Sequence, residues 1–271
     1  MNPIQDATNS ELIAIDHALP RFASDPLPEV VYHYTDTAGL LGILASGRLW
    51  ATDYRYMNDR SELSYTYRLV QQVISEEFSG SYTGLARHLL DAGMASRPEV
   101  YLKARYFLCC FSELDNSLSQ WRAYGGRQGF SIQFPGDIAR VPLRMPQGQT
   151  PGVTILKVIY DEQKQKDFIR SLIQALLALC AEPLMQYQVH HVGEHEALSG
   201  IIGFFWAALD GQSYRFKHPD FAVENEWRLV TWDRDNVERF RAGATITPYT
   251  DTPLSSASYV GTGGPADRSR F

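Results

Sequence analysis

The first clear pattern along the chain is VVYHYTD, a short apolar run that reads as a strand beginning at Val30. Extended geometry places Val31, His33 and Thr35 on one face and Tyr32 and Tyr34 on the other. Leu40, Leu41, Ile43 and Leu44 then follow helical spacing, with Asp36 or Thr37 placed to cap the helix and Gly47 suited to a left-handed stop. A second short strand is expected over Leu49 to Thr52. Asp59 and Glu62 next stand in capping-box spacing ahead of an amphipathic helix reaching about Phe78. A further helix is expected around Leu85 to Ala95. RYFLCCFSE, residues 105–113, is short, aromatic-rich and ended by polar turn residues, which predicts a buried strand. SQWRAYGGRQGFSIQF predicts a helical turn, a glycine-rich loop and a strand over Gly129 to Phe134. Beyond a Pro- and Gly-bearing loop, the pattern predicts a strand over Thr154 to Tyr160 and helices over Lys166 to Gln186 and Glu194 to Asp210. AVENEWRLVTW, residues 222–232, reads as the last clear strand, followed by one more near Tyr259.

Residues 1–29 read as a short helix and a proline-containing connector, and residues 30–271 as a single α+β domain without internal repeats. Composition narrows the picture only slightly. The length suffices for a full core without staples, and the apolar and charged fractions are those of ordinary soluble proteins. A net charge of −6 argues against broad, salt-driven adhesion to nucleic acid, although a local basic groove is compatible with it. Cys109, Cys110 and Cys180 show no metal spacing and no C-x-x-C pair, which fits a reduced, cytoplasmic protein. No apolar run approaches membrane-spanning length, so no membrane partner is expected.

Several groups are candidates for chemistry. A buried strand has no packing need for an imidazole, which singles out His33. If the strand over residues 222–232 is regular, Glu224, Glu226 and Arg228 share a face, and two such close carboxylates need Arg228, a ligand cation or a raised pKa. A solvated edge strand neutralised by Arg228 explains the same residues. Tyr56 and Asn58 stand before the helix cap. Trp121, Arg122 and Tyr124 precede the glycine loop and offer an aromatic wall and a cation to a planar anionic ligand, or else pack in the core. The glycines do not follow the dinucleotide fingerprint. HVGEH, residues 191–195, matches the inverted zinc-protease pattern, but Gly193 weakens the helix it needs and no acidic third ligand stands out, so no metal is expected.

HYTDTAGLLGILASGRLW, MNDRSE, CFSE, WRAYGGRQGFSIQF and ENEWRLV, in that order, resemble a bacterial family known as domain of unknown function 2971, over about residues 30–232. The opening strand, its helix and the S-G-x-L turn further resemble the start of DarT-type DNA ADP-ribosyltransferase toxins, and AVENEWRLV resembles the strand carrying the catalytic glutamate of that superfamily. This resemblance implies a split mixed β-sheet with surrounding helices, clasping NAD+ in a cleft. It implies that His33 holds the adenosine-side ribose or diphosphate, with Tyr34, Thr35, Tyr56, Asn58, Trp121, Tyr124 and Arg228 completing the NAD+ site. Breaking the nicotinamide–ribose bond develops an oxocarbenium-like cation, which a carboxylate near the ribose 2′-hydroxyl stabilises. Glu226 is the candidate for that role, and Glu224 for orienting or deprotonating the acceptor. The expected activity is ADP-ribosyl transfer to nucleic acid or protein, as a toxin or phage-defence effector. The alternatives are a non-catalytic sensor of ADP-ribose-like nucleotides and an NAD+ glycohydrolase.

Overall fold

The computed structural model describes residues 25–57, 61–78, 87, 90–91, 106–125, 128–138, 153–180, 202, 205–206, 208–209, 212–232, 239–241 and 247–253. The chain divides into two compact units, each assembled from separated segments: residues 1–23, 61–103 and 159–218 form the first, and residues 24–60, 104–158 and 219–271 the second.

The first unit is helical. Helix α2, Ser61–Glu77, and helix α4, Glu162–Cys180, each present apolar residues at helical spacing. Leu69, Val70 and Val73 of α2 and Ile169, Leu172 and Leu176 of α4 join Phe205, Trp206 and Phe216 in one buried cluster. Helix α4 begins four residues before the expected Lys166, because the Asp161 carboxylate accepts the Lys164 amide and caps it there. Gln165, fully buried, accepts the Tyr65 hydroxyl at 2.7 Å and donates to the Ile159 and Lys217 carbonyls at 2.5 and 3.0 Å. Burial, with Glu162 adding, pushes the Tyr65 phenol up to about 12.

The second unit holds an eight-stranded sheet. Its strands are β1 (Val30–Asp36), β2 (Arg48–Asp53), β3 (Tyr106–Ser112), β4 (Gly129–Pro135), β5 (Val153–Lys157), β6 (Glu226–Trp232), β7 (Arg239–Arg241) and β8 (Thr247–Pro253). Helix α1, Thr37–Ser46, links β1 to β2 and carries the expected punctuation. The Asp36 carboxylate accepts the Gly39 amide at 2.8 Å, and Gly47 stops the helix at φ 62°. Helix α3, Leu118–Tyr124, precedes β4. Val31, Leu49, Phe107, Phe111, Phe134 and Trp227 pack on one face of the sheet with Ile43 of α1.

The fold is α+β, as expected, and its sheet is split. Strand β3 gives one edge wholly to β6, from Tyr106↔Trp232 to Ser112↔Glu226. Its other edge is shared. Strand β1 pairs there only at Tyr32↔Ser112, while β2 pairs at Thr52↔Leu108 and Asp53↔Phe107. Beyond those points β1 runs with β4 and β2 with β8, so the sheet parts beside Cys109 to Phe111. Every described strand pairing is antiparallel, in place of the mixed sheet expected. Strands β1 and β2 run in the same direction along β3 but separate instead of pairing, so the parallel ladder of a mixed sheet does not form there. Strand β8 was not anticipated, because TPYTDTP carries two prolines and reads as loop. The expected strand near Tyr259 and helices around 12–18, 85–95 and 194–210 lie wholly or mostly outside the described residues.

Candidate functional site

A cleft of about 130 Å³ opens where the sheet parts. That is space for on the order of ten waters, at ~10–15 Å³ each, and well below the ~300–1,000 Å³ of sites that enclose a drug-sized ligand. A whole dinucleotide exceeds that volume. Both faces of the sheet contribute. His33, Ile43 and Cys109 come from the apolar face, and Tyr34, Trp50, Thr52, Leu108 and Cys110 from the other. Gln120 and Tyr124 of α3, with Tyr56 and Met57 after β2, complete the wall.

His33 answers the question its position raised. Strand β1 leaves β3 after Tyr32, and the His33 ring fills part of the gap, with Nδ1 2.9 Å from the Cys110 carbonyl and 5.6 Å between the His33 and Phe111 ring centres. A carbonyl only accepts, so Nδ1 carries the proton. Cys109 Sγ lies 3.7 Å from the same nitrogen. His33 thus satisfies backbone at the parting while facing the cleft.

Tyr34 and Trp121 are held by the protein itself. The Tyr34 hydroxyl donates to the Leu114 carbonyl at 2.7 Å and accepts the Ser117 amide at 2.9 Å, which anchors the turn before α3. Its ring meets Trp121 edge-on at 4.7 Å, and Trp121 Nε1 donates to Asn116. The glycine loop answers to Trp121 as well. A Cβ on Gly129 would fall 2.6 Å from Gly125 Cα and 3.0 Å from the Trp121 ring, so these glycines permit close packing here. Thr35 packs against Gly39 and does not line the cleft. Tyr56 and Tyr124 do line it, Tyr56 largely exposed. Asn58 lies outside the described residues, as does the HVGEH segment. Among the described residues no group of His, Cys, Asp or Glu is arranged to hold a metal ion.

The two glutamates separate. Strand β6 begins at Glu226, while Glu224 ends a 3₁₀ turn over Pro219–Glu224. Between them Asn225 adopts φ 43°, which breaks the alternation that would have put both carboxylates on one face. The turn is tied down on both sides of this residue: Ser112 Oγ donates to the Glu224 carbonyl at 2.6 Å, and the Glu113 amide donates to the Asn225 carbonyl at 3.1 Å. Glu226 and Arg228 form a buried bidentate pair, Nε to Oε1 at 2.8 Å and Nη2 to Oε2 at 3.0 Å. Neither lines the cleft. The link is Cys110, register partner of Arg228, which lines the cleft and also hydrogen-bonds Glu226. Burial, with the Glu226 charge adding, pushes the Cys110 thiol well above its ordinary range, so it is a neutral donor to that carboxylate.

A second carboxylate, Glu113, accepts Lys157 Nζ at 2.8 Å and Trp227 Nε1 at 2.7 Å. Burial pushes it upward, but those hydrogen bonds prevail and hold it below its ordinary 4.5. Gln120, Trp50 and Thr52 are not singled out by the sequence, and Cys109 and Cys110 only as lacking metal spacing. Only the position of Gln120 beside Trp121 and of Cys110 within CFSE offered a signal.

Residues 120–229 match the model of the family described as Protein of unknown function (DUF2971), which bears out the family resemblance seen in the sequence. The matched stretch includes Gln120, Trp121, Tyr124, Glu226 and Arg228, whereas His33, Tyr34, Thr35 and Tyr56 precede it. No curated protein and no solved structure matches the chain.

Proposed function

We propose, with the DUF2971 match as premise, that this chain is an NAD+-dependent ADP-ribosyltransferase acting on nucleic acid or protein, as a toxin or phage-defence effector. The observation that carries the reading is the parting of β1 from β2 along β3, with His33 in the gap and Glu226 one strand away. NAD+ is the substrate, and part of it enters the cleft. His33 would hold a ribose hydroxyl through Nε2, since Nδ1 is engaged by the Cys110 carbonyl. Tyr56 and Tyr124 would stack on a ring. Glu226 would stabilise the positive charge that grows on the ribose as the nicotinamide bond breaks. In the protein alone, Arg228 engages both of the Glu226 oxygens.

The occupied state of that carboxylate favours a second reading, a sensor of ADP-ribose-like nucleotides that binds without turnover. Release of nicotinamide from NAD+, with and without a nucleic-acid and protein extract, separates the two. The transferase reading expects release that depends on extract and falls at least ~10²-fold in Glu226→Gln. Release without extract would indicate a glycohydrolase, and binding without release the sensor.

A further inference from the structure

Two buried glutamines in this protein stand in contrast. Gln165, in the helical unit, spends its carboxamide on three hydrogen bonds within the protein. Gln120, only 6% exposed, lines the cleft, and its side chain makes no hydrogen bond among the described residues. A carboxamide carries two donors and an acceptor with two lone pairs. The Gln120 amide keeps access to the cleft, so what enters it, water included, satisfies those groups.

The rest of the wall indicates what that is. Trp50, Tyr56 and Tyr124 give the cleft aromatic surface, and no Lys or Arg is among the described residues that line it. Arg228, expected to help complete the NAD+ site, is instead committed to Glu226. A phosphate would find no cation among these described residues to neutralise it. An uncharged aromatic ring would find stacking surfaces and a planar amide able to make a donor–acceptor pair with its edge, as glutamine does with adenine.

We infer that the cleft is a base pocket: it takes a neutral planar heterocycle presenting an adjacent hydrogen-bond donor and acceptor, and Gln120 reads that edge. Adenine and the carboxamide of nicotinamide share this chemistry. The inference rests on the proposed function only in taking the cleft as the binding site, and requires no turnover. Phosphates and any acceptor then lie outside the parting.

Isothermal titration of the full chain with adenosine, nicotinamide and ribose 5-phosphate tests it. At least one of the two rings is expected to bind, and which one does identifies the source of the ring; ribose 5-phosphate is not. Gln120→Leu, which keeps the bulk and removes the amide, should weaken ring binding about tenfold or more. Its melting temperature should stay close to that of the unaltered protein, since the amide makes no hydrogen bond within the described residues. Gln120→Glu, which keeps acceptors and loses both donors, should also weaken binding. The inference is overturned if neither ring binds, if Gln120→Leu binds as well as the parent, or if Gln120→Leu melts several degrees lower, which would mean that the amide holds the fold. Loss of nicotinamide release with ring binding intact would remove the transferase reading and leave the base pocket standing.

Discussion

At Asn225 a single backbone angle decides which way a carboxylate points. Residues with a Cβ meet a penalty of about 1–2 kcal/mol in the left-handed region, and asparagine among them tolerates it best. Asn225→Gly should therefore leave stability nearly unchanged, while Asn225→Val should lose about 1–2 kcal/mol in denaturant titration. Arg228 is a larger matter. Removing it strands the Glu226 charge in the interior, and Arg228→Met should cost about 3–5 kcal/mol. Glu113 adds a pH dependence. Its folded pKa is depressed, so its contribution is present above its ordinary 4.5 and is lost as pH falls through the lower folded value. With its side chain about a third exposed, the contribution is small. Melting curves between about pH 3 and 6 should show Glu113→Gln flattening that acid limb.

Within single elements, what the sequence revealed followed from local physics. Helix α1 was legible at both ends because capping and the left-handed stop are local events at Asp36 and Gly47. Strand β3 was legible because its apolar run is buried on both faces. The ENEWR strand was half legible: Trp227 to Trp232 alternate as expected, but nothing local announces that Asn225 turns the chain before Glu226. The cleft was least legible of all, since it depends on where β1 and β2 leave β3, a matter of register between residues 80 apart in sequence at Tyr32 and Ser112 and 56 apart at Thr52 and Leu108. Its lining glutamine carries no pattern. The glycine loop makes a test at this scale. Gly129→Ala sets a methyl against backbone as well as the Trp121 ring, neither of which yields cheaply, and should destabilise by about 1–3 kcal/mol by thermal melting.

Across the molecule, each compact unit draws on sequence segments separated by whole stretches of the other, so no linker marks the division. Such non-local assembly carries a kinetic signature, because distant segments must meet before contacts reward them. Refolding should be slow, in the range of milliseconds to seconds. Truncation after residue 218 removes β6, β7 and β8, leaving one edge of β3 and the edge of β5 that faced β6 without partners. In that fragment the β-sheet contribution to the circular dichroism should lose its cooperative melting transition, while the helical unit keeps all of its segments.

The forking of β3's edge also bears on how such a protein can change over generations. Because the gap is made by the course of the main chain, no one side chain creates it, and the residues around its rim are free to vary without dismantling it. On the proposed reading, a lineage built on this scaffold can retune its ligand by exchanging Gln120, Tyr56 or Tyr124 one at a time while keeping the same opening. The fork is an inherited vacancy, and selection decides its tenant.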